Sequence, residues 1–205
     1  MNRVILYHAL LPGPSLTGHT QQGPLPHWIS ELAYARRSQL PADPAARART
    51  LLGIALALRG LTALLDRSVG PAELIFETDR KPRIAGADFS VAHAGRHVAV
   101  VLRRAGCVGI DLEDGGDADH PKLGGRLSAW ITREAVLKAA GLGLRDSARV
   151  LLQANGATLD GKPFELRELH FAPDCQVCVA SDGPLHKIEM NPQSPADVAA
   201  LLSAA

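Results

Sequence analysis

The residues best suited to chemistry are three carboxylates and a lysine. Asp111 and Glu113 stand two apart in Gly109-Ile110-Asp111-Leu112-Glu113. Alternate residues of a strand project to one face, so these two acids stand side by side while Leu112 packs behind them. Like charges held that close repel unless a proton or a cation lies between them. Oxygen donors with no His or Cys beside them suit a hard cation, Mg²⁺ or Mn²⁺; two solvated acids on an exposed strand end is the competing reading. Glu134 and Lys138 are four apart in Trp130-Ile131-Thr132-Arg133-Glu134-Ala135-Val136-Leu137-Lys138 and share a helix face. They are either a surface ion pair or a third metal-ligating carboxylate with a cation for phosphate. Ser90 and His93 are three apart in a strand-like run. That spacing sends them to opposite faces and argues against a Ser–His nucleophile pair. His93 is then a buried, hydrogen-bonded histidine or a phosphate contact. Arg36, Arg37, Arg47 and Arg49 gather around the first long helical pattern. Guanidinium groups bind phosphate through charge-assisted hydrogen bonds, or simply solvate a helix face.

The elements that must position these groups follow from hydrophobic periodicity. Residues 4–11 read as a buried strand and 12–27 as a Gly/Pro-rich loop. A short helical pattern covers 28–38. The strongest helix spans 45–66, with Asp43 as its N-cap and Leu51, Leu52, Ile54, Ala55, Leu58, Leu61 and Leu65 at helical spacing. Residues 74–77 read as a strand, 86–88 as a turn, and 89–93 with 97–102 as a hairpin. A short strand at 108–112 ends in acid, and 115–125 is a polar loop. A second helix covers 127–140 and stops at Gly141-Leu142-Gly143. Strand-like segments follow at 148–153, 164–171 and 175–180, and the tail from Asn191 holds a short Ala/Leu helix. The order of strand, long helix and further strands occurs before residue 105 and again after 106. The expected fold is therefore α+β, a pseudo-twofold pair of similar subdomains, 1–105 and 106–205. Each is a small antiparallel sheet packed with a long helix, and a site lies in the cleft between them.

Bulk properties narrow the function classes. Of 205 residues, 46% are apolar and 21% charged, as in a globular chain. Lys+Arg is 22 against 21 for Asp+Glu, so net charge points to neither nucleic acid nor an anionic membrane. Cys107, Cys175 and Cys178 are too few and odd in number for a disulfide framework, which predicts reduced thiols and a cytoplasmic protein. Cys175 and Cys178 fall three apart in a strand, face opposite ways, and are expected to pack in the core rather than hold zinc. His8 interrupts the first apolar run and no small-x-small cleavage site follows, so it reads as a strand rather than a signal peptide. No apolar run is expected to reach the roughly 18–20 residues a bilayer span needs. A Gly-x-x-x-x-Gly-Lys-Ser/Thr loop is absent, so ATP binding is not expected.

Taken in order, Phe89-Ser90-Val91-Ala92-His93-Ala94, Gly109-Ile110-Asp111-Leu112-Glu113 and the Trp130–Lys138 run with Gly141-Leu142-Gly143 resemble the signature of the Sfp-type 4′-phosphopantetheinyl transferases. Arg49-Thr50-Leu51-Leu52-Gly53 and Lys81-Pro82 extend the likeness over about residues 30–145. The resemblance implies transfer of the phosphopantetheine arm of coenzyme A to a serine of an acyl or peptidyl carrier protein, with release of 3′,5′-ADP. It implies that Asp111, Glu113 and Glu134 hold Mg²⁺ against the pyrophosphate, that Glu134 takes the serine proton, and that Lys138 meets the reacting phosphate. Arg49 and His93 would hold the 3′-phosphate, with Arg36 or Arg37; Lys81, Pro82 and Ser90 would lie near the adenine. A cleft formed within one chain implies a monomer. The chain departs from the family pattern at Arg133, usually Lys, at Arg80, usually Gly, and in the short segment between Glu113 and Trp130, which in many relatives carries an extra helix facing the carrier protein. The alternatives are a degenerate coenzyme A-binding or regulatory paralogue, and a metal-dependent phosphoesterase built on the same acids.

Overall fold

A computed structural model describes residues 3–12, 27–32, 34–77, 80–115, 119–120, 125–173 and 175–203. In chain order the elements are β1 (Val4–Leu10), α1 (Tyr34–Ser38), α2 (Pro44–Leu65), β2 (Asp88–Ala94), β3 (His97–Arg103), β4 (Val108–Asp114), β5 (Asp119–His120), β6 (Gly125–Arg126), α3 (Leu127–Ala140), β7 (Val150–Gln153), β8 (Gly156–Leu159), β9 (Lys162–Ala172), β10 (Cys175–Ser181), β11 (Ile188–Pro192) and α4 (Pro195–Ser203). The architecture is α+β. One sheet has the order β11-β1-β3-β2, with β11 parallel to β1 and the other neighbours antiparallel. The second has the order β4-β10-β9-β8-β7, antiparallel throughout.

Alternation along the strands assigns each face. On β1 and β3, Ile5, Tyr7, Val98, Val100 and Leu102 pack with Leu52, Leu56 and Leu61 of α2. Their intervening neighbours Val4, Leu6, Ala99 and Val101 pack instead with Val108, Ile110 and Leu112 of β4 and Val177 and Val179 of β10. On the far side of β10, Cys178 and Ala180 meet Ile131, Ala135 and Val136 of α3. The layers thus run α2, first sheet, second sheet, α3. Strands buried on both faces read as nearly continuous apolar runs, which is why 97–103 and 175–180 lack alternation.

Helix α2 begins where Asp43 accepts a hydrogen bond from the Ala46 N–H at 2.7 Å, with Pro44 at its first position. It is long and apolar enough to cross a membrane, with mean hydropathy 1.5, although Arg47, Arg49 and Arg59 interrupt the apolar run; 61% of its most apolar window is buried inside the protein. Helix α3 covers residues 127–140 as its periodicity predicts and ends on Gly141 at φ 69°.

Several elements differ from the sequence reading. Residues 28–38 divide into a 3-10 turn, His27–Glu31, and α1. Residues 74–77 are not a strand: a 3-10 turn, Pro71–Glu73, precedes a single bridge from Ile75 to Arg83, and Ile75 is exposed. The segment read as a strand at 148–153 starts in a 3-10 turn, Leu144–Arg149, and continues as β7. Strands β8 and β11 were not foreseen, and β11 returns the tail to the first sheet beside β1. Most of the loop expected at 12–27 lies outside the described residues, as does much of 115–125, where β5 pairs with β6.

Candidate functional site

The site starts from a glycine. A Cβ on Gly109 of β4 would lie 2.1 Å from the Ala135 carbonyl oxygen and 2.3 Å from the Ala139 nitrogen. Only glycine lets the backbone of α3 rest this closely on β4. The approach brings Lys138 within reach of Asp111, two residues beyond Gly109 on the same face. Lys138 Nζ donates to Asp111 Oδ1 at 2.6 Å. Asp111 is only 4% exposed, and its second oxygen, Oδ2, is buried with no hydrogen-bond partner. Burial pushes the Asp111 carboxyl above its ordinary range, and Lys138 opposes the shift.

Glu134 lies one helical turn before Lys138. Its carboxyl is pushed up to about 7, first by burial and then by the charges of Asp111 and Glu113, while Lys138 and a hydrogen bond from the Trp130 indole oppose. Glu113 leaves β4 on the same side as Asp111, with Leu112 buried behind in the inter-sheet core. Asp111, Glu113 and Lys138 thus lie near enough to Glu134 for their charges to bear on it, but the oxygens of the three carboxylates do not all come within 4.8 Å of one another. The buried, unmet oxygen of Asp111 is the feature that fits a hard divalent cation, and closer approach of Glu113 and Glu134 would complete the set.

Lys138 also forms part of the wall of a cavity of about 450 Å³. Arg36, Lys81, Pro82, Ser90 and His93 border the same space. Ser90 and His93 do face opposite ways, Ser90 toward the second sheet, and both border the cavity. His93 is exposed on β2 rather than buried; partial desolvation at the cavity lowers its imidazole, with the positive charges of Arg49 and Lys138 adding to the shift. Arg36 lies over the Phe76 ring, 5.4 Å from its centroid, and its Nε is buried without a hydrogen-bond partner. That leaves a donor at the cavity suited to an anion.

Not every expected residue is free for a ligand. The Lys81 ammonium donates to Asp88 Oδ2 at 2.5 Å and to the Val108 carbonyl at 2.7 Å, while Asp88 Oδ2 also accepts from the Val108 N–H at 2.8 Å. Its charge is committed to the junction between β2 and β4, and its stem borders the cavity. Arg49 is not on the wall; it donates to the Gly95 carbonyl at 3.3 Å, close enough to bias His93. Arg37 donates to the Ser30 carbonyl on the surface, and Arg47 to the Pro41 carbonyl ahead of α2. Sequence reasoning missed Phe76 and Asp88 as site residues. Phe76 was assigned to a strand that does not form, and Asp88 stands one residue ahead of the Ser/His motif with no periodicity to mark it. No family model matches the chain, and no curated protein matches it.

Proposed function

We propose that the chain is a 4′-phosphopantetheinyl transferase, moving the phosphopantetheine arm of coenzyme A onto a serine of an acyl or peptidyl carrier protein. The observation that carries this reading is the shared wall. Lys138 belongs both to the carboxylate cluster and to a cavity that holds Arg36, Ser90 and His93. An acidic cluster alone would suit any cation, and a basic cavity alone would suit any anion; their union suits a pyrophosphate attached to a nucleotide. The volume suits the nucleotide portion, which leaves the pantetheine arm to run outward.

Asp111, Glu113 and Glu134 would hold Mg²⁺ or Mn²⁺, and the unmet Oδ2 of Asp111 is the reason the set fits. The bound cation supplies neutralisation of the pyrophosphate oxygens. The chain supplies the rest. Arg36 and His93, with Arg49 nearby, anchor the nucleotide phosphate. Lys138 neutralises charge that builds on the transferring phosphoryl group. Glu134, when ionised, accepts the proton of the carrier serine. The serine oxygen then bonds to the β-phosphorus as the bond to 3′,5′-ADP breaks. The nucleophile comes from the partner, in keeping with Ser90 and His93 facing opposite ways.

We read the two halves as a pseudo-twofold pair, in keeping with the same proposal. The strand order β1-β3-β2 matches β4-β10-β9, and in each set a long helix follows the first strand and packs against the sheet. The short segment between Glu113 and Trp130 favours one other reading, a paralogue that binds coenzyme A without docking a carrier protein. Chromatographic detection of 3′,5′-ADP separates them. Release that requires protein, coenzyme A, Mg²⁺ and apo carrier protein together is the expected result. Release without carrier protein would indicate a phosphoesterase, and coenzyme A binding without release would indicate the paralogue.

A further inference from the structure

The core between the two sheets is built from Val, Leu, Ile and Ala with the fully buried Cys175, and His8, His97 and Asp114 lie at the same end as that cysteine. His8 of β1 and His97 of β3 lie on the inter-sheet side of the first sheet, by alternation with Leu6 and Ala99. Asp114 and Cys175 are directly opposed in the β4–β10 register, so their side chains share a face of the second sheet. A ring nitrogen of His97, a carboxylate oxygen of Asp114 and the Cys175 sulfur lie within 4.8 Å of one another. His97 Nε2 is 3.9 Å from Asp114 Oδ1. The other ring nitrogen, Nδ1, shares a hydrogen bond of 2.9 Å with His8 Nε2, and His8 is held by stacking on Phe171 at 3.8 Å between centroids.

Two further features single out this cluster. When His97 donates from Nδ1 to His8, the lone pair of Nε2 points toward the Asp114 carboxylate, with the Cys175 sulfur close by. This is the outer partner that orients a metal-ligating histidine. In addition, Gly95 in the β2–β3 turn has φ +51°, and a Cβ there would lie 1.8 Å from Asp114 Oδ2. The turn is shaped around that carboxylate.

We propose that His97, Asp114 and Cys175 form a Zn²⁺ site, distinct from the three-carboxylate site and independent of the transferase reading. Sulfur and imidazole select a borderline-soft cation over Mg²⁺. Tetrahedral Zn²⁺ with bonds of about 2.0–2.3 Å sets its ligands about 3.3–3.8 Å apart, so the three donors draw in by up to about an ångström. Asp114, with a side chain 40% exposed, has the freedom to do so and leaves the fourth position to water. Binding replaces the thiol proton of Cys175 with the Zn–S bond, and the proton leaves to solvent. The ion then ties β3 of the first sheet to β4 and β10 of the second. Cys178, which faces α3 instead, takes no part.

The test is titration of metal-free protein with Co²⁺ in excess Mg²⁺, which fills any oxygen-only site. Expected is a near-ultraviolet thiolate-to-cobalt absorption saturating at one equivalent and bleached by Zn²⁺. Cys175→Ser abolishes it, and Asp114→Asn weakens Co²⁺ binding by about tenfold or more. Cys107→Ser, Cys178→Ser and Glu134→Gln leave it unchanged. Asp114→Asn, at a half-exposed position, carries the test if the buried serine variant does not fold, and Zn²⁺ raises the Tm of the wild-type protein but not of this variant. Absence of the absorption, its persistence in both Cys175→Ser and Asp114→Asn, or its loss in Cys107→Ser or Cys178→Ser would overturn the site.

Discussion

At the scale of single residues, the acids were legible as a group and their individual states were not. The Asp-x-Glu spacing on a strand and the Glu–Lys spacing on a helix follow from geometry that any reader of the sequence can apply. That Asp111 is nearly closed to solvent, with Lys138 on one oxygen and nothing on the other, depends on how closely α3 approaches β4. The state of Glu134 depends on that burial too, and it has a measurable consequence. Its carboxyl is raised to about 7 from an ordinary 4.5, so between those values the metal-free folded protein binds more protons than the unfolded chain. Stability therefore falls as pH rises through this window. Urea unfolding of metal-free protein at pH 5 and pH 8 is expected to show a smaller loss for Glu134→Gln than for wild type. An equal loss in both would remove the like-charge crowding on which the site rests. Asp111→Asn is expected to abolish the Mg²⁺ dependence of coenzyme A affinity in calorimetry, since it removes one of the anionic oxygens held for the cation; an unchanged response to Mg²⁺ would contradict the ligand assignment.

At the scale of elements, the two long helices and the β2–β3 hairpin were readable because capping residues and periodicity agree, as at Asp43 and Gly141. The segments that escaped are those whose pairing is not local. Strand β11 is an edge strand joined in parallel to the distant β1, and no pattern within its five residues announces that partner. The β7–β8–β9 meander carried a signal that went unread: Asp160 and Gly161 both have positive φ, 51° and 80°, the pair a two-residue hairpin turn requires. Gly109 lies inside a quoted motif, yet its reason for being glycine appears only when α3 is laid against it. Gly109→Ala is expected to cost about 1–3 kcal/mol by overpacking and to lower transfer as Lys138 and Glu134 are pushed from Asp111. Denaturant melts checked against transfer rates test this. A variant of wild-type stability and activity would show that the helix contact does not position the site.

At the scale of the whole molecule, the α+β class follows from the order of elements, whereas the layering does not. The sequence suggests two similar halves; the structure stacks α2, two sheets and α3, with junctions at β2 and β4 where Lys81 and Asp88 meet Val108. A cavity bordered by residues from before and after residue 105 could not be read from periodicity, because its walls are distant in sequence. The motif order was the clue to such a union, and the proposed function rests on it rather than on either half. The most direct test is the intact mass of an apo acyl carrier protein after incubation with this chain, coenzyme A and Mg²⁺. The account predicts a gain of one phosphopantetheine arm, abolished by EDTA and slowed by about a hundredfold or more with Glu134→Gln. A carrier protein of unchanged mass, across carriers of both acyl and peptidyl type and with coenzyme A bound to the chain, would contradict it.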